Sequence, residues 1–302
     1  MTEPTFQIGL VQQACGQDRR ANLDRAIEGI RQAADRGAQI ICLQELFASP
    51  YFCKAVCDTR FAWAEPIPGP TVEALQPVAR ALAVVLIVPI FERRAAGVYH
   101  NSAALLDADG SLAGIYRKMH IPDDPLYHEK FYFTPGSAEG PAGGFGAVAT
   151  RYAKVGVLIC WDQWYPEAAR ITALCGAEVM FFPTAIGWHP SEKEALGGEQ
   201  ADGWETIQRG HAIANGLYVG AVNRVGHEPE PGTDGIEFFG RSFICDPFGR
   251  VLARASSDSP EVLVAACDRR RIEQVRQNWP FLRDRRIDAY GPITRRWIDP
   301  TP

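Results

Sequence analysis

Short apolar runs alternate with helical patterns along most of this chain, and several of the runs are apolar nearly from end to end. The strand-like runs are Gln7–Gln12, Ile40–Leu43, Val84–Glu92, Ser102–Asp107, Gly156–Cys160, Val179–Pro183, Tyr218–Arg224, Ser242–Asp246 and Val262–Cys267. A strand that alternates apolar and polar residues keeps one face wet. Ile40-Ile41-Cys42-Leu43 offers no wet face, so both of its faces must be covered. Helical patterns fall at Ala21–Arg36, Val72–Leu82, Pro166–Cys175, Trp204–Asn215 and Arg269–Gln277. In the first of them Leu23, Ile27, Ile30 and Ala34 recur at three- and four-residue steps and make one apolar stripe. Many strands with few helices predict two stacked sheets with helices outside each, a four-layer α-β-β-α sandwich of the α/β class.

No repeat of 20–50 residues is visible. The Pro- and Gly-rich loops at Pro66–Pro70, Gly140–Gly146 and Pro229–Gly235 separate no regions of different composition. Residues 1–302 therefore read as one domain, with 279–302 as an aperiodic C-terminal tail that wraps the surface or a neighbouring subunit. The net charge of −5 argues against a nucleic-acid partner. The late arginines (Arg269 to Arg271, Arg283, Arg285, Arg286, Arg295, Arg296) interleave with acids and with Trp279, Phe281 and Trp297. They read as solvated surface or as a subunit contact, and a homo-oligomer is expected.

The N-terminus passes from Thr2-Glu3-Pro4 into a strand-like run without the basic region and long apolar stretch of a signal peptide. The longest apolar run, Ala81 to Phe91, contains Pro89 and falls short of the roughly 20 residues a spanning helix needs. These features predict a cytoplasmic protein without a membrane partner, so the eight cysteines read as free thiols. Cys42, Cys175, Cys245 and Cys267 sit in apolar patterns as small core residues, and Cys53 and Cys57 as loop residues with no zinc-binding partner motif.

Three reactive side chains leave apolar runs in the same way: Glu45 after Ile40–Gln44, Lys118 after Ile115–Arg117, and Cys160 after Gly156–Ile159. Residues at the carboxyl ends of parallel strands converge on one rim, where ligands bind. A helix starting beyond Cys160 is expected to favour its thiolate. A thiolate that attacks an amide or urea carbon splits a difficult hydrolysis into two easier steps. Glu45 could take the thiol proton and return it to the leaving nitrogen, while Lys118 and the Trp161 N–H could hold the oxyanion. Taken singly, each of these residues is more often structural or solvated.

Three segments together carry a resemblance. Leu43-Gln44-Glu45-Leu46-Phe47, Tyr116-Arg117-Lys118-Met119-His120-Ile121-Pro122 and Gly156-Val157-Leu158-Ile159-Cys160-Trp161-Asp162 resemble, in this order, the signature blocks of the carbon–nitrogen hydrolase (nitrilase) superfamily. The resemblance implies a Glu–Lys–Cys triad at Glu45, Lys118 and Cys160 and the same α-β-β-α sandwich. The run Asp123 to Gly136 also resembles the family and implies a second glutamate, Glu129, that positions the lysine and the attacking water. The similarity runs from about Phe6 to Cys267. Pro183 to Trp188, Trp204 to Ala212, Ala221 to Gly226 and Trp161 to Trp164 resemble the branch acting on N-carbamoylputrescine, which brings Thr184, Ala185 and Trp188 among the expected substrate contacts. Ser137–Ala149 is longer than the family pattern.

A carboxylated substrate would call for an arginine fork, whereas Gln163 and Trp164 follow the cysteine here. A cationic tail calls for acids and aromatic faces. Asp123, Asp124, Glu194, Glu199 and Asp202 read as loop acids, and Tyr51, Phe52, Trp161, Trp164 and Trp188 as walls of a narrow pocket. The expected substrate is a small cationic carbamoyl-amine. His120, Asp123 or Asp124, and His128 fit no helical metal-ligand spacing, so no metal or cofactor is expected; the two histidines should bond within the loop that presents Lys118 and Glu129.

Overall fold

The computed structural model describes residues 3–140 and 144–299; residues 141–143 of the glycine-rich loop and the two chain ends assigned to the domain and tail lie outside them. Two six-stranded sheets form the centre of the molecule. The first runs, edge to edge, Glu261–Asp268, Thr5–Gln12, Ile40–Leu43, Val85–Ala95, Val98–Leu106 and Leu112–Arg117. The second runs Val251–Arg254, Phe243–Cys245, Tyr218–Val222, Val179–Pro183, Lys154–Val157 and Ala147–Ala149. In each sheet three neighbouring strands pair in parallel and the remaining pairings are antiparallel, which turns Leu112–Arg117 back into the direction of the parallel strands.

The apolar runs are explained by what covers each face. Ile40 and Cys42 enter the core between the sheets with Val85, Ile87, Met180 and Phe181. Ile41 and Leu43 point the other way, against Ala26 and Ile30 of the helix Arg19–Asp35 and Val72 and Leu75 of the helix Pro70–Leu82. On the second sheet the helices Pro166–Leu174 and Lys193–Asn215 add Ala168, Ala169, Trp204 and Ala212 to the core. The four layers are thus helix, sheet, sheet, helix. Gly220 lies where space between the sheets is short, since a Cβ there would stand 2.9 Å from Phe181 of its own sheet and 3.1 Å from Leu10 of the other.

Several boundaries differ from the sequence reading. The second long helix begins at Lys193 rather than Trp204. Its first half holds Gly197, Gly198 and Gly203 and buries little but Gly197 and Ala201, too sparse a stripe to read. The strand expected at Gly156–Cys160 spans Lys154–Val157, because the chain turns sharply into the short 3₁₀ helix Cys160–Trp164. A third sheet of Val225–Glu228, Ile236–Phe239 and Gly187–Trp188 was not legible, its strands being short and partly polar. Cys175 is half-exposed at a helix end and Cys53 is buried, the reverse of their expected settings. Beyond Trp279 the tail forms isolated turns that leave Ile287 and Trp297 74% and 77% exposed. Among the described residues no helix is long and apolar enough to cross a membrane.

Candidate active site

Glu45 lies just past the strand Ile40–Leu43, Lys118 directly after Leu112–Arg117, and Cys160 just past Lys154–Val157. All three strands end on one rim, so two sheets deliver three side chains to one place. Glu45, Lys118 and Glu129 are fully buried and Cys160 is 5% exposed. The Lys118 ammonium donates to Glu45 Oε1 at 2.9 Å and to Glu129 Oε2 at 2.6 Å. Asn101 Nδ2 donates to the same Glu45 oxygen at 2.7 Å, and the Tyr51 hydroxyl to Glu129 Oε1 at 2.7 Å. Glu45 Oε2 is buried without a partner among the described residues.

The electrostatics follow from burial and crowding. Burial opposes charge on Lys118, but Glu129 and Glu45 outweigh it and hold the ammonium well above the usual lysine range. Burial pushes Glu129 up to about 7, with Lys118 opposing and Glu45 adding to the rise. The Cys160 thiol is pushed well above its ordinary range by burial and then by the Glu45 charge, while Lys118 and the Ala185 amide pull the other way. This corrects the expected thiolate. The helix Pro166–Leu174 begins only beyond the short 3₁₀ helix Cys160–Trp164, and a thiol held above its ordinary range needs a base.

Leu46 (φ 50°) and Cys160 (φ 46°) both hold left-handed backbone, a strain of about 1–3 kcal/mol for each such residue, so the reactive turns are over-determined by their surroundings. Asp162 supplies part of that constraint. Its buried carboxylate accepts from the Ile159 N–H (2.9 Å), the His120 N–H (2.9 Å), His120 Nδ1 (2.7 Å) and the Tyr116 hydroxyl (2.7 Å). One carboxylate thereby ties the cysteine turn to the segment after Lys118. Asn101 and Asp162 were not singled out from the sequence; a polar residue inside the apolar strand Val98–Leu106 was the signal for the first.

Residues 7–277 match the family model described as carbon–nitrogen hydrolase. The chain belongs to the carbon–nitrogen hydrolase family. It is 45% identical to an N-carbamoylputrescine amidase of Solanum lycopersicum over 94% of this chain and 93% of that protein. It is 41% identical to a citrullinase of Francisella tularensis subsp. tularensis over 97% and 99% of the two chains. The crystal structure of a carbon–nitrogen hydrolase from Helicobacter pylori G27 superposes with a TM-score of 0.92 at 45% identity, covering 97% of this chain and 100% of that one.

In this hydrolase a cavity of about 1180 Å³ opens onto Cys160 and Glu129. Trp161, Trp164, Ala185 and Asp124, among the residues singled out from the sequence, line it. The other expected contacts lie elsewhere, for identifiable reasons. Tyr51 is buried behind Glu129. Thr184 turns its hydroxyl to Gln163 and the Phe182 carbonyl. Trp188 donates its indole N–H to the Gly197 carbonyl. His120 is bonded to Asp162 and stacked on Tyr165 at 3.7 Å, so it bonds outside its own loop, and Asp123 faces His128 at 3.5 Å. Phe52 packs in an aromatic cluster with Phe91 and Tyr132. Glu194, Glu199 and Asp202 are helical rather than loop acids, and the wall instead carries Glu192, Glu230 and Asp234. Among the described residues no group of three or more His, Cys, Asp or Glu side chains is placed to hold a metal ion.

Proposed function

We propose that this hydrolase converts N-carbamoylputrescine and water to putrescine, carbon dioxide and ammonia through a covalent intermediate on Cys160. The observation that carries the reading is the buried Glu45 oxygen left without a partner among the described residues, with a Cys160 thiol that burial and the Glu45 charge hold above its ordinary range. Glu45 takes the thiol proton as sulfur bonds to the ureido carbon. Lys118 and the Trp161 N–H hold the oxyanion, a contribution of about 3 kcal/mol for one such donor. One nitrogen then leaves as an amine with the proton returned by Glu45. Water, oriented by Glu45 and Glu129, attacks the thiocarbamate and releases carbamic acid, which breaks down to carbon dioxide and the second amine. Lys118 stays charged throughout, because two carboxylates flank it.

The substrate's cationic end is supported by the cavity wall. Asp124, Glu192 and Asp234 line it without an ion-pair partner among the described residues, while Glu230 is held by Arg60 at 3.3 Å. Citrulline, the ureido amino acid in the name of the Francisella relative, presents the same carbamoyl end but adds a carboxylate that unpaired acids would repel. Ammonia release measured in parallel on carbamoylputrescine, citrulline and carbamoyl-β-alanine tests the choice; a higher kcat/KM on either carboxylated substrate overturns it. A single-domain, cytoplasmic homo-oligomer belongs to the same proposal; its oligomeric part, with the tail beyond Trp279 reaching a neighbouring subunit, is supported by the exposed Ile287 and Trp297.

A further inference from the structure

We infer that Arg224, through its ion pair with Glu228, is a positioning residue that sets the place of both Glu45 and Tyr51. Arg224 is fully buried. Its Nη2 donates to the carbonyl oxygens of Glu45 (3.0 Å) and Leu46 (2.9 Å), and its Nη1 to the carbonyl of Ser49 (3.0 Å) and to Glu228 Oε1 (2.5 Å). A planar fork fixes these acceptors together, which a point-like ammonium cannot do. Glu228 Oε2 accepts the Tyr51 backbone N–H at 2.7 Å and the Lys54 ammonium at 3.1 Å, and Lys54 donates in turn to the Tyr51 carbonyl at 2.8 Å.

Both ends of the Glu45–Tyr51 turn are therefore gripped from the strand Val225–Glu228 and the residue before it, in the small third sheet. From those ends come a carboxylate bonded to Lys118 and a hydroxyl that donates to Glu129. Left-handed backbone at Leu46 gives the turn a reason to relax once released. A buried ion pair is a weak source of stability, and Arg224 Nε has no partner among the described residues. Every carbonyl that Arg224 does reach lies on this turn, which is what a geometric role requires.

The inference rests on the amidase reading only where turnover is measured. Arg224→Lys keeps the charge and loses the fork. The expected result is a kcat lower by about tenfold or more with KM within about threefold, since small misplacements of reacting groups cost on this scale. Alkylation of Cys160 by iodoacetamide should slow in parallel, and its pH dependence should move, because the base that takes the thiol proton has shifted. Glu228→Asp retains both buried charges and shortens the reach to Tyr51, so it decides the matter if Arg224→Lys does not fold; the same losses are expected. Folded variants that keep the native kcat, alkylation rate and pH profile overturn the inference. If the native protein turns over no carbamoylputrescine while alkylation still slows in the variants, the substrate assignment falls and the positioning role stands.

Discussion

Glu45 receives the Lys118 ammonium on one carboxylate oxygen at 2.9 Å and leaves the other, Oε2, buried and without a partner among the described residues. An acceptor in that state is costly unless something reaches it during function. The thiol of Cys160, raised by burial and by Glu45 itself, is the group that needs it.

Glu45→Gln keeps the shape and removes the base. Ammonia release should fall by about a hundredfold to ten-thousandfold, the usual range for a general base, while the folded state is retained by circular dichroism. Cys160→Ala should abolish turnover altogether. Residual activity in the alanine variant at the native level would remove Cys160 from the mechanism.

Glu129 is neutral below about 7 and charged above it, and only the charged form accepts fully from Lys118 and Tyr51. The kcat/KM profile should therefore fall on the acid side near 7 and hold on the alkaline side through the ordinary lysine range, because Lys118 is raised above it. The Tyr51 hydroxyl lowers the Glu129 value, so Tyr51→Phe should move the acid limb upward. A downward move in the measured profile contradicts this.

Asp162→Ala strands the buried Ile159 N–H and Tyr116 hydroxyl and the partly buried His120 N–H. With about 1–3 kcal/mol for each unsatisfied group, a total loss of about 3 kcal/mol or more is expected by denaturant unfolding. Asp162→Asn should cost less, since one oxygen still accepts.

The unpaired cavity acids should act on binding rather than chemistry. Combining Asp124→Asn, Glu192→Gln and Asp234→Asn should raise KM for carbamoylputrescine several-fold at low salt, at about 0.2–1 kcal/mol for each exposed charge, with kcat little changed. The difference should shrink as salt is added. Steady-state kinetics at two ionic strengths read both effects.

Gly220→Ala would press a methyl against Phe181 of its own sheet and Leu10 of the facing one. Overpacking of this kind costs about 1–3 kcal/mol, visible as a lower thermal midpoint.

The sequence by itself determined the layered architecture and the order in which Glu45, Lys118 and Cys160 arrive at one rim. Apolar period and strand-end position are local properties, and Ile40 to Leu43 announces two covered faces without any knowledge of what covers them. Tertiary structure decided the rest. Whether Tyr51 touches substrate or stands behind Glu129, whether Cys160 rests as thiol or thiolate, and which acids line the cavity all depend on residues distant in the chain. Arg224 reads as one more charged residue after a strand until folding places its guanidinium against the Glu45 carbonyl. Such pairings arise from burial and close packing, which act between segments that no local pattern connects.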